Sequence, residues 1–148
     1  MRGGAYLLLI RLLTDARVHR FELTKGELVY LGSAVGGYGS RLLRHAVRQS
    51  GLPHPLFPAL KRRFPGARGQ KNTLFWHIDH LLELADARLE AALLFPGRRE
   101  SELIGPLVKR GARPAALGFG SSDSNAPTHL FYCLHEKLQD FRGALWVR

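Results

Sequence analysis

The segment from Ala5 to Leu13 reads AYLLLIRLL, an apolar run broken only at Arg11. A strand with one wet face alternates apolar and polar residues, so a run without alternation is the mark of a strand buried at the centre of a sheet. It is too short for a membrane helix, which needs roughly 18 apolar residues. Asp15 follows it, where a secretory leader would place small residues for cleavage. At 148 residues and 45% hydrophobic content, the chain is large enough for one packed core, and residues 1–148 read as a single domain.

The remaining pattern is mixed. Residues 17–23 alternate loosely and 27–32 (ELVYLG) are again β-like, with a turn around Thr24–Gly26, so the first third reads as an antiparallel meander. Gly36, Gly37 and Gly39 mark a loop, and Ser40 is a candidate cap for a helix over 41–49. That helix would bury Leu42, Leu43, Ala46 and Val47, and gather Arg41, Arg44, His45 and Arg48 on the opposite face. Residues 51–72, rich in Pro, Gly and basic residues, read as a loop carrying Lys61, Arg62 and Arg63. A helix is expected over 73–84 with Leu74, Phe75, Ile78, Leu81 and Leu82 as its stripe, and a helix over 98–110 that Pro106 should bend; 88–95 between them fits strand or helix, and its place after a helix favours strand. A Gly/Ser/Asp loop over 117–128 precedes a strand at 129–134, and ALWVR closes with a short strand. The fold class is α+β: a small, mostly antiparallel sheet flanked by helices.

Charge narrows the partners. Lys and Arg number 22 against 12 Asp and Glu, a formal net charge of +10, and 17 of the 22 are Arg. Arg presents a planar fork that matches paired phosphate oxygens, so the balance favours nucleic acid, DNA in particular. A merely solvated basic surface is the alternative. The single cysteine, Cys133, excludes an internal disulfide and fits a cytoplasmic location.

Certain strings are more specific than composition. Gly4-Ala5-Tyr6 opens the first strand and Tyr30-Leu31-Gly32 lies in a later one. Arg41 and His45 stand one helical turn apart, and Glu102 lies on a helix farther along. Trp76-His77-Ile78-Asp79 and Gly118-Phe119-Gly120-Ser121-Ser122-Asp123, followed by His129, extend the set. Together these strings resemble an uncharacterised branch of the GIY-YIG nuclease superfamily, sometimes found fused to endonuclease III, over nearly the whole chain. The resemblance implies a GIY-YIG-like fold, catalytic Tyr6, Tyr30, Arg41 and His45, and Glu102 as ligand to Mg2+ or Mn2+. Two features depart from the family pattern. Tyr6 and Tyr30 are 24 positions apart, farther than is typical, and Ser124 and Ala126 stand where the branch usually shows cysteines.

The residues also support the chemistry directly. Phosphodiester hydrolysis needs an activated water, a cation and positive charge on the phosphoryl oxygens. Arg41 can fork to phosphate, Glu102 can hold a magnesium ion that keeps most of its waters, and a tyrosine can handle the attacking water if its proton affinity is tuned. A core residue with a bonded hydroxyl is the equal alternative for Tyr6. Arg44 and Arg48, with Lys61, Arg62 and Arg63, are candidates for backbone contact. His77 and His80 are spaced for a metal, but two histidines are a weak zinc signal. His77, Asp79, Ser121, Ser122, Asp123 and His129 read as a supporting polar network, with turn capping the alternative for Ser121, Ser122 and Asp123. A non-catalytic nucleic-acid-binding module on the same scaffold is the rival to an endonuclease.

Overall fold

The first strand is central and covered on both sides, as its unbroken apolar run predicts. The computed structural model describes residues 3–68, 71–121 and 126–148. Strand β1 (Gly4–Leu12) lies between β4 (Gly26–Ala34) and β5 (Ala87–Pro96) in a six-stranded antiparallel sheet. Strands β6 (Arg113–Pro114) and β7 (Leu130–Tyr132) extend the sheet beyond β4, and β8 (Leu145–Val147) extends it beyond β5. Alternate residues of β1 enter different cores. Tyr6, Leu8, Ile10 and Leu12 face one, while Ala5, Leu7 and Leu9 face the other.

The first core is closed by three short helices, α1 (Gly39–His45), α2 (Phe57–Arg63) and α3 (His77–Glu83). The second is closed by α4 (Ser101–Lys109), through Leu103 and Leu107, and by a 3-10 turn at His135–Leu138. The α+β class is therefore observed.

Several elements differ from expectation. Among the described residues, strands β2 (Ala16–Val18) and β3 (Phe21–Leu23) pair only with each other, so the expected meander is a hairpin set apart from the main sheet. Helix α1 begins two residues early, which puts Ser40 inside it, and Tyr38 takes the cap position without a side-chain bond. It also ends at His45, so Arg48 lies beyond it. The 51–72 segment contains α2, whose Pro58 sits in the first turn, where proline's missing N–H costs nothing. Lys61, Arg62 and Arg63 therefore ride on a helix end and are exposed. Helix α3 starts at His77 rather than at 73, which leaves Leu74 and Phe75 outside its buried stripe.

His54 ties these layers together. Its Nε2–H donates to the Leu82 carbonyl at 2.8 Å, and its Nδ1 accepts the Leu89 N–H at 3.0 Å. The bond accepted at Nδ1 requires neutral imidazole, and burial, aided by Arg48, pushes the pKa down to about 4. Unfolded, the same ring takes its proton near 6.5. Between those values the unfolded chain holds more protons, so stability falls as pH falls. From pH 7 to 5, urea unfolding should show a loss approaching about 1.4 kcal/mol per pH unit for each such histidine. A flat profile across that interval would contradict the neutral assignment.

Candidate active site

Tyr6 and Tyr30 reach the same place because β1 and β4 pair with Tyr6 opposite Gly32 and Leu8 opposite Tyr30. The two tyrosines are diagonal neighbours on one face of the sheet. The long spacing between them has a simple cause. The β2–β3 hairpin is inserted at the far ends of the two strands, where it adds residues without altering the register. Gly32 is needed opposite Tyr6, since a Cβ there would collide with the phenol ring. Gly120, in the left-handed region at φ 66, lies against the other tyrosine, with a Cβ position 3.0 Å from a Tyr30 ring carbon.

These elements enclose a cleft of about 160 Å3 whose walls include Tyr6, Tyr30, Arg41, His45, Glu100 and His129. The Tyr6 hydroxyl is 3.0 Å from His45 Nε2. His45 Nδ1 has no hydrogen-bond partner among the described residues and faces Asp79 Oδ1 at 3.7 Å. A carboxylate on that side favours a proton on Nδ1, which leaves Nε2 to accept the Tyr6 hydroxyl. Burial, with Arg44 next in effect, pushes the His45 pKa down to about 3, so the ring is neutral. Burial also raises both tyrosines well above the ordinary phenol value; Arg41 opposes the rise at each. At neutral pH the cleft therefore holds two neutral hydroxyls, not a standing phenolate.

Glu100 is the carboxylate in this cleft, 3.3 Å from His129 Nδ1, and desolvation raises its pKa. Glu102, the residue picked out by sequence, lies elsewhere. It is exposed on α4, bonded to Arg98 at 2.9 Å and to the Arg99 N–H at 3.0 Å, and it tethers the helix start. Glu100 and Glu102 both fall in the helix expected over 98–110, and nothing in their local pattern tells which of the two faces the cleft. A larger groove of about 770 Å3 adjoins the cleft and shares Ser33, Glu100 and His129 with it.

Two expected phosphate contacts are committed elsewhere. Arg44 bonds both Asp79 oxygens at 3.2 Å and Thr73 at 2.8 Å. Arg48 donates to the carbonyls of Leu84 and Ala87. A carboxylate or carbonyl met only on folding has claimed each guanidinium, and only Arg41 of the three lines the cleft.

The supporting network is partly as expected. Asp79 is wholly buried and accepts the N–H groups of Phe75 and Trp76 as well as Arg44. His77 Nδ1 accepts the Gly120 N–H at 2.9 Å, which anchors the loop behind Tyr30. Ser121 is buried and donates to the Pro127 carbonyl, a turn contact. Ser122 and Asp123 lie outside the described residues. His19 stacks edge-on against His77 and His80, yet no three His, Cys, Asp or Glu side chains converge as a metal-ligand cluster among the described residues. Glu100 is a single carboxylate donor, the kind of ligand set that magnesium accepts while keeping most of its waters, whereas zinc takes three or four protein ligands. No helix among the described residues is long and apolar enough to cross a membrane.

A family model described as a domain of unknown function, DUF123, matches residues 5–145, and the chain belongs to that family. The chain matches no curated protein and no solved structure.

Proposed function

We propose that this DUF123 member is a divalent-cation-dependent phosphodiester hydrolase that acts on DNA. The observation that carries this reading is the meeting of Tyr6, Tyr30, Arg41, His45 and one carboxylate, Glu100, in a single cleft of a strongly basic protein. The sequence resemblance to GIY-YIG nucleases supports the same chemistry. Arg41 forks to the phosphoryl oxygens. Glu100 would hold the cation, which supplies charge neutralisation at those oxygens when bound.

The buried tyrosines orient water by hydrogen bonding. Tyr6 donates to His45 and its oxygen is also bonded by Arg41, which leaves one lone pair to accept a proton from the attacking water. As that proton arrives, the hydroxyl proton of Tyr6 passes to His45 Nε2, so Tyr6 is neutral before and after. The resulting imidazolium faces Asp79. An incoming phosphate adds negative charge to the cleft and makes this protonation easier. The water oxygen bonds to phosphorus, the bond from phosphorus to the leaving oxygen breaks, that oxygen takes a proton from solvent, and the His45 imidazolium gives its proton up to solvent to restore the neutral ring.

The test is incubation of the purified protein with linear, nicked and branched DNA, with and without Mg2+ or Mn2+. Cleavage is expected only with the metal. Arg41→Ala should weaken binding and turnover together by about ten- to a hundred-fold, since a forked phosphate contact serves ground and transition states alike. It should also reduce the log–log salt slope of binding by about one. Tight binding with no cleavage on any substrate would assign the chain to the non-catalytic modules.

A further inference from the structure

We infer that Phe75 and Trp76 form a stacking platform for an unpaired nucleobase beside the scissile phosphate, which makes single-stranded or branched DNA the preferred substrate class. This rests on the hydrolase reading above and extends it to the substrate's structure. Phe75 is 74% exposed and Trp76 is 37% exposed, though aromatic side chains of this size normally contribute to a core. Their rings meet edge to face, 4.8 Å between centroids. Trp76 also lines the catalytic cleft, so the pair stands at its mouth.

The pair is held there by design of the backbone. Leu74 takes a positive φ of 57, uncommon for a bulky residue, and turns the chain outward. Asp79 Oδ2 then accepts the N–H groups of Phe75 and Trp76 at 2.9 and 2.8 Å. The same buried carboxylate binds Arg44 and faces His45. The platform and the reacting groups are therefore fixed to one anchor, which sets the distance between a stacked base and the phosphate held by Arg41.

The occupant follows from chemistry. A flat apolar face beside a cationic phosphate site matches a nucleotide, whose base is flat and whose backbone is anionic. A base inside a duplex is already stacked on its neighbours and cannot lie on the platform. An unpaired base can, and stacking on an aromatic is sequence-tolerant because every base has a π-face.

The test compares a blunt duplex with a flap of the same sequence carrying 2-aminopurine at the first unpaired nucleotide, in calcium to slow cleavage. Wild-type protein should bind the flap more tightly and change the 2-aminopurine emission. Phe75→Ala should weaken flap binding by about five- to a hundred-fold and leave duplex binding unchanged. Phe75→Tyr, which keeps the ring, should retain flap binding. Equal losses on flap and duplex, or no loss on either, would overturn the platform while leaving the hydrolase reading in place. Failure of the wild type to bind any DNA would remove the hydrolase reading and the platform with it.

Discussion

Asp79→Ala should lower the stability of the fold by about 3–5 kcal/mol, the range for removing one partner of a buried ion pair. The wholly buried carboxylate accepts four hydrogen bonds, two from Arg44 and two from the backbone at Phe75 and Trp76. Alanine leaves a largely buried guanidinium unpaired and two backbone donors without their acceptor. Asp79→Asn keeps the shape and one carbonyl acceptor, so its loss should be smaller. Urea unfolding at pH 7 gives both values. A double-mutant cycle with Arg44→Met separates the pair's coupling from the cost of stranding one charge. A loss below about 1 kcal/mol for Asp79→Ala would mean that the carboxylate is not the anchor described. The same variant should also lower turnover beyond its effect on folding, because it removes the group that sets the His45 tautomer.

The elements legible in the sequence are those whose pattern comes from burial alone. The run at 5–13 reads as a strand because both faces are covered, and it is β1; 88–95 fits strand or helix by pattern, its place after a helix favours strand, and it is β5. The convergence of Tyr6 and Tyr30 was obscured by spacing, since the hairpin between them adds residues without moving either tyrosine. Helix starts were misplaced where a distant group decides them. Leu74 and Phe75 fit the period of α3, yet Asp79 captures the N–H groups just before it and starts the helix at His77. Arg44 and Arg48 fit a basic stripe until their partners, 35 and more positions away, are brought to them by the fold. Periodicity carries no information about such partners, and it gave no ground to exchange Glu102 for Glu100 as the carboxylate that faces the cleft.

That exchange supplies the most direct measurement of the central claim, that the chemistry resides in the cleft of Tyr6, Tyr30, Arg41, His45 and Glu100. Magnesium-dependent DNA cleavage should be compared in wild type, Glu100→Gln and Glu102→Ala, with DNA affinity measured alongside. Glu100→Gln keeps the side-chain shape and removes the charge that would hold the cation. It should reduce turnover by at least about a hundred-fold, as loss of a charge-stabilising group at a reacting phosphate does, with binding within a few-fold of wild type. Glu102→Ala removes only an exposed ion pair with Arg98 and a tether at the helix start, so turnover should be close to wild type. Full cleavage by Glu100→Gln, with loss in Glu102→Ala, would place the cation on the outer face of α4 and contradict the cleft as the catalytic centre.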